Sequence, residues 1–216
     1  MGKLSLMLYP IIDTGFIRRE NAMNCLRQAL AGGADIIQVR DKQGSSRDFY
    51  ELSLACHKET RRYGIPLIVN DRADIALAVG AEGVHLGQDD LSPACVRKML
   101  GPEAVIGVSV TTLEEARRGE RDGADYVSVS PVYATATKAD IQIPAGLQML
   151  RVIKQAMKIP VIAIGGIHET NIQAVLAAGA DGAAMISAIF GQADPLGAAR
   201  RLRELATGAL RKEEMR

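Results

Sequence analysis

The chain contains no tryptophan, only three cysteines, and aromatic residues at just 4% of its 216 positions. A base-stacking platform for single strands, or an aromatic cage for a quaternary ammonium, needs several exposed rings, and the shortage argues against both. Cys25, Cys56 and Cys95 are odd in number and far apart, with no CxxC pair. That pattern speaks against a disulfide framework and a thiolate zinc site, and the three are read as filler. Lys and Arg number 26 against 25 Asp and Glu, a formal charge of +1, which is not the bulk charge of a nucleic-acid binder. There is no run of 18 apolar residues, so no membrane span is expected. Residues 1–10 lack the apolar stretch and small-residue cleavage site of a signal peptide. The expectation is a cytoplasmic protein with neither nucleic acid nor membrane as partner.

Glycine is what the chain has in quantity, 21 residues in all. Four segments resemble one another: AGGADIIQV ending at Val39, AVGAEGVHL ending at Leu86, RDGADYVSV ending at Val129, and AAGADGAAM ending at Met185. Their shared glycines are Gly33, Gly80, Gly123 and Gly179, spaced by 47, 43 and 56 residues. Self-similarity at such a period marks a repeated supersecondary unit. Each unit reads as a helix ending on a left-handed glycine, followed at once by a short strand that is apolar on both faces, as buried parallel strands are.

A second set of strands lies between these, around Pro10 and ending at Asn70, Ser109 and Gly166, with Pro66 and Pro160 at strand starts where a missing N–H is tolerated. Helices are expected over Glu20–Ala31, Ser46–Tyr63, Arg72–Val79, Ser92–Leu100, Gly146–Met157 and Glu169–Ala178. Two more are marked by their starts, a capping box at Thr112–Glu115 and an Asp194 cap ahead of Pro195. Eight strands alternating with eight helices in four matched quarters make an α/β chain folded as a TIM (β/α)8 barrel. A doubly wound open sheet is the rival, but it requires no such quarters. The barrel is expected to fill residues 1–207 as one domain, with 208–216 a frayed tail.

Active sites of such barrels lie at the C-terminal ends of the strands, so the residues following each strand are the candidates. Alternation points Gln38, Arg40 and Lys42 to one side of the second strand. That grouping is costly unless an anion or a carboxylate pairs it, and a salt bridge from Arg40 to a neighbouring acid is the structural alternative. Asp71 follows the third strand and Asp90 the fourth. Either could cap a helix, yet neighbouring strands place them to converge, and two carboxylates with few other protein ligands suit Mg²⁺. The long loop from Ser130 to Pro144 brings Thr135, Thr137 and Lys138 together, a donor cluster suited to phosphate. Gly165 and Gly166 after the seventh strand, and Ile186 and Ser187 after the eighth, occupy the usual phosphate position of such barrels. His85 lies within a strand and reads as a packed, hydrogen-bonded core histidine. His57 reads as exposed on a helix, and His168 as a cap. No Ser-His-Asp or Cys-His set offers a nucleophile. Two anion sites in one mouth fit a group transfer between two phosphorylated substrates.

At these residues the chain resembles the thiamine phosphate synthase family over nearly its whole length. The matching stretches are Gln38-Val-Arg-Asp-Lys42, Asn70-Asp71-Arg72, Gly83-Val-His-Leu-Gly-Gln-Asp-Asp90, Gly107-Val-Ser109, Pro131-Val-Tyr-Ala-Thr-Ala-Thr-Lys138, Ile164-Gly-Gly166 and Met185-Ile-Ser187. The resemblance implies a transferase that joins 4-amino-2-methyl-5-(diphosphomethyl)pyrimidine to 4-methyl-5-(2-phosphoethyl)thiazole, giving thiamine phosphate and diphosphate. It implies that Gln38, Arg40, Lys42, Asn70, Ser109 and Lys138 hold the pyrimidine diphosphate, with Arg40, Lys42, Lys138 and Ser109 serving the chemistry. It further implies Asp71 and Asp90 as Mg²⁺ ligands, and Thr135, Thr137, Gly166, Ile186 and Ser187 around the thiazole phosphate. Family enzymes react dissociatively: diphosphate leaves and the thiazole nitrogen captures a pyrimidine methyl cation. The chain departs from the family pattern at Ala134, where proline is usual, at Val110-Thr111-Thr112, where a histidine is frequent, and at Ala139–Pro144. The rivals are the related thiazole tautomerase, which tends to lose the acidic end of strand four and the Thr-x-Thr-Lys loop, and a non-catalytic barrel that binds a phosphorylated ligand.

Overall fold

All four glycines of the repeat take a positive φ, 94° at Gly33, 71° at Gly80, 89° at Gly123 and 98° at Gly179, a backbone that an L side chain enters only with strain. Each ends a helix and turns the chain directly into a strand. The computed structural model describes residues 5–135 and 143–214, the last six as backbone only. Strands β1 (Leu8–Asp13), β2 (Ile37–Arg40), β3 (Leu67–Asn70), β4 (Gly83–Leu86), β5 (Val105–Val110), β6 (Tyr126–Val129), β7 (Val161–Ile164) and β8 (Gly182–Met185) pair in parallel in chain order, and β8 closes back on β1. Helices α1 (Ala22–Ala31), α2 (Ser46–Tyr63), α3 (Ala73–Val79), α4 (Pro93–Leu100), α5 (Leu113–Arg121), α6 (Gly146–Ala156), α7 (Ile172–Ala177), α8 (Ser187–Phe190) and α9 (Pro195–Glu214) connect or follow them. The fold is the closed (β/α)8 barrel expected from the repeat.

Local signals set the helix starts. Thr112 and Glu115 form the capping box anticipated for α5, Ser92 caps α4 with Pro93 in its first turn, and Asp194 accepts the Gly197 N–H at 3.0 Å ahead of α9. Two elements differ from expectation. The described residues include a further helix, the four-residue α8, between β8 and the long closing helix, because the Asp194 cap starts a new helix at Pro195. Helix α7 begins at Ile172 rather than Glu169, because Asn171 closes the preceding turn: its Oδ1 accepts the His168 N–H at 2.8 Å and its Nδ2 donates to the Gly166 carbonyl at 2.8 Å.

Apolar side chains form two layers. Between strands and helices lie residues such as Leu26, Val39, Val69, Val127, Leu150 and Leu202. Inside the barrel Tyr9, Ile36, Ile68, Val105, Tyr126 and Ile162 fill the floor. The strand period of two then presents Gln38, Asn70, His85, Ser109 and Ser128 as the next inward layer, so the interior changes from apolar to polar toward the C-terminal mouth. No helix among the described residues is long and apolar enough to cross a membrane.

Candidate active site

Parallel register brings the strand ends into contact, Asp13 beside Arg40 and Asn70 beside His85. Arg40 Nη1 donates to Asp13 Oδ2 at 2.6 Å. Asp13 is almost wholly buried, with 2% of its side chain exposed, and a carboxylate taken from water needs such a partner. The pairing of Arg40 with a neighbouring acid is therefore realised, while the same guanidinium still lines the mouth. The next residue, Asp41, ties down the loop that carries Lys42. It accepts from Thr14 Oγ1 and the Gly44 N–H, both at 2.8 Å, and pairs with Arg19 at 2.8 Å.

Asp71 is the one non-glycine residue with positive φ among those described, at 62°. Aspartate tolerates this conformation better than most side chains, and the Asp71 N–H donates to the His85 carbonyl at 2.8 Å, turning the chain over the end of β4. Lys42 Nζ pairs with Asp71 Oδ2. Asp90 accepts the Gly87 N–H at 2.7 Å, which aims its carboxyl back at the mouth. Burial pushes the Asp90 pKa upward, and the adjacent Asp71 carboxyl raises it further, against the lowering pull of the Gly87 N–H and Lys42. The two acids thus converge as the sequence implied. They and Arg40, Lys42, Asn70 and Ser109 line a cleft of about 270 Å³.

Beneath this cleft lies a narrower pit, polar on the side of Gln38, Asn70, His85 and Ser109 and apolar on the side of Ile11, Ile164 and Ile186. Its floor holds a chain of hydrogen bonds. Gln38 Nε2 donates to Tyr9 Oη at 2.9 Å, Tyr9 and Tyr126 share a bond at 2.8 Å, Tyr126 Oη meets His85 Nδ1 at 3.0 Å, and His85 Nε2 meets Ser109 Oγ at 2.9 Å. Burial raises both tyrosine pKa values, so the phenols stay protonated. His85 is buried and hydrogen-bonded, as expected, but in the floor of the mouth.

On the opposite side, Gly165 and Gly166 have φ of 98° and 62°. A Cβ on Gly166 would lie 2.6 Å from the Ala134 carbonyl oxygen and 2.7 Å from Tyr133 Cβ. This glycine is needed for close packing of the loop that leads to Thr135, a reason distinct from the phosphate approach anticipated. Ile186 lines the pit and Ser187 opens α8. Thr135 is half-buried. Thr137 and Lys138 lie outside the described residues.

The sequence pattern did not single out Asp13, Asp41, Tyr9 or Tyr126. Only the alternation of β1 and β6 carries a trace of them, since it points Tyr9, Asp13 and Tyr126 inward. His57, expected on the surface, is buried and meets Glu82 Oε1 at 3.2 Å, because the long α2 turns this face toward α3 and the turn at Gly80 that follows it. At the departure Val110-Thr111-Thr112, Val110 is buried, and Thr111 Oγ1 donates to Glu115 at 2.8 Å, so the stretch serves the cap of α5.

A family model described as thiamine monophosphate synthase matches residues 8–189. A protein named thiamine-phosphate synthase from Moorella thermoacetica is 50% identical over 202 residues, covering 94% of this chain and 96% of that one. Another of the same name, from Syntrophomonas wolfei, is 48% identical over 198 residues, covering 92% and 95%. The solved structure of thiamine phosphate pyrophosphorylase from Pyrococcus furiosus superposes with a TM-score of 0.86 at 39% identity, over 96% of this chain and 98% of that one. On a match that runs from the first strand into the last helix pair, and on identities this high over almost the full length, the chain belongs to the thiamine monophosphate synthase family.

Proposed function

We propose that this protein condenses 4-amino-2-methyl-5-(diphosphomethyl)pyrimidine with 4-methyl-5-(2-phosphoethyl)thiazole, releasing thiamine phosphate and diphosphate, with Mg²⁺ as cofactor. The observation that carries this reading is the convergence of Asp71 and Asp90 beside Lys42 and Arg40, directly above a pit that is half polar and half apolar. The donor set suits Mg²⁺: two hard carboxylate oxygen ligands from the protein, with no cluster of three or more His, Cys, Asp or Glu among the described residues, leave room for waters and substrate phosphates. Asp71 and Asp90 would hold the ion, which when bound neutralises charge on the departing diphosphate.

The remaining roles fall to the chain's own side chains. A flat amino-substituted ring matches the pit, its polar edge toward Gln38, Asn70 and Ser109 and its face against Ile164 and Ile186. Arg40, its position fixed by Asp13, and Lys42 stabilise charge that grows on the leaving diphosphate, as does Lys138. Thr135, Thr137, Gly166, Ile186 and Ser187 hold the thiazole phosphate, so that its ring nitrogen waits beside the reacting carbon. Holding the two substrates together supplies the proximity advantage. A dissociative substitution needs neither nucleophile nor general base, and the site is built around charge stabilisation.

The test is product formation by the wild-type protein and by Asp71→Ala and Asp90→Ala, with both substrates and Mg²⁺. Thiamine phosphate should appear, and each substitution should lower turnover by more than about tenfold, a lower bound on the roughly 100- to 1,000-fold that loss of one transition-state electrostatic contact costs. Tautomerisation of the thiazole phosphate without thiamine phosphate would replace this reading with that of the related tautomerase. Turnover unchanged in either variant at limiting Mg²⁺ would remove the metal assignment.

A further inference from the structure

We propose that Tyr9, Tyr126 and His85 are positioning residues, forming a one-way hydrogen-bond relay that fixes Gln38 as an acceptor and Ser109 as a donor toward an amino-substituted nitrogen heteroaromatic ring. The proposal deepens the reading of the pit given above and rests on it. Its direction follows from the donor inventory. An amide nitrogen only donates, so Tyr9 Oη accepts from Gln38 Nε2. Tyr9 is 1% exposed, and its other side-chain partner is Tyr126. Were Tyr126 the donor, the Tyr9 hydrogen would be buried without an acceptor, an outcome proteins avoid. Tyr9 therefore donates to Tyr126, and Tyr126 in turn donates to His85 Nδ1. A neutral imidazole that accepts at Nδ1 carries its hydrogen on Nε2, and that N–H points at Ser109 Oγ.

Both ends then face the pit with defined polarity. Gln38, one of its two amide hydrogens held by Tyr9, is fixed in the orientation that presents Oε1 as an acceptor. Ser109, its oxygen already accepting from His85, turns its own hydrogen toward the ligand. An amino group next to an acceptor atom is the edge this pair would recognise. Reversal of the relay would exchange the roles at both ends together.

The fold makes specific room for the relay. A Cβ on Gly107 would lie 2.0 Å from Tyr126 Cζ and 2.3 Å from its Oη; only a strand residue without a side chain admits the phenol to the barrel axis. His85 and Tyr126 stack with ring centroids 5.6 Å apart, and Tyr9 meets Tyr126 edge to face at 6.1 Å.

The experiment uses the full chain labelled with ¹⁵N-histidine. Only three histidines are present, so His57→Gln and His168→Gln suffice to assign the His85 signals. Long-range ¹H–¹⁵N spectra at neutral pH should show His85 protonated at Nε2 and bare at Nδ1; protonation at Nδ1 alone would overturn the relay. Because the spectrum needs no turnover, it decides the point even if the protein lacks the proposed activity. In kinetics, Tyr126→Phe should lower kcat/KM for the pyrimidine substrate about tenfold, leave KM for the thiazole phosphate unchanged, and add nothing once Ser109→Ala is present, since residues acting as a unit are non-additive. Fully additive losses would refute the coupling. Should Tyr126→Phe fail to fold, the wild-type tautomer alone decides between the two directions of the relay.

Discussion

Asp90 occupies a position that costs the protein something when its carboxyl is ionised. It is partly buried, faces Asp71, and has its pKa raised first by desolvation and then by that neighbour. A carboxyl whose pKa is raised on folding favours the folded state below its unfolded pKa, and that advantage is lost as pH rises through the folded value. Asp90→Asn keeps an oxygen for the Gly87 N–H and removes the charge. In chelator at neutral pH this variant should melt a few degrees above wild type, the gap closing as pH falls and Asp90 protonates, while its affinity for Mg²⁺ drops. Calorimetry across pH and a Mg²⁺ titration check both. A second expectation concerns Asp13, whose carboxylate binds Arg40. Asp13→Ala should cost roughly 2 kcal/mol, the range for a hydrogen bond to a charged group, read from denaturant midpoints, and should raise KM for the pyrimidine diphosphate because Arg40 loses its anchor. The convergence of Asp71 and Asp90 could be inferred from strand order alone. The partner of Arg40 could not, since pairing Asp13 with Arg40 depends on register and a single sequence does not specify register.

Among the elements, the glycines at the helix ends did most to make the fold readable. Gly123 isolates their contribution: its φ is 89°, and a Cβ there would meet nothing within 4 Å. Gly123→Ala should therefore cost about 1 kcal/mol through backbone strain alone, and Gly123→Asn less, because asparagine enters the left-handed region more readily. Equilibrium unfolding of the two variants measures this directly. The caps at Thr112 and Asp194 were readable for the same reason, a local side-chain-to-backbone bond spelled out within four residues. The start of α7 was not, because the amide of Asn171 bonds to both His168 and Gly166 and holds residues 166–171 in a turn. Nor was α8, whose four residues are too few to show a period. The place of Tyr126 is not legible in the sequence for a related reason: alternation turns it inward, but its depth in the barrel depends on the space left by Gly107 on the neighbouring strand.

Over the whole molecule, the barrel gathers at one mouth residues from every quarter of the sequence, Gln38 and Arg40 from the first, Asp71 and Asp90 from the second, Ser109 and Ser130 from the third, Ile164 and Ile186 from the last. A net charge of +1 conceals this, because the described mouth cations Arg40 and Lys42 are matched locally, by Asp13 and Asp71. Under the proposed function, substrate phosphates would take the place of the Asp71 carboxylate as counter-ion for Lys42. The proposed transfer requires both substrates in that mouth at once. Diphosphate release should therefore be followed with the pyrimidine substrate alone, with both substrates, and with both substrates in chelator. Release should appear only with both substrates and Mg²⁺, matched by an equal amount of thiamine phosphate. Release at the same rate from the pyrimidine substrate alone, or an undiminished rate in chelator, would show that the mouth does not work as a two-substrate, metal-assisted site.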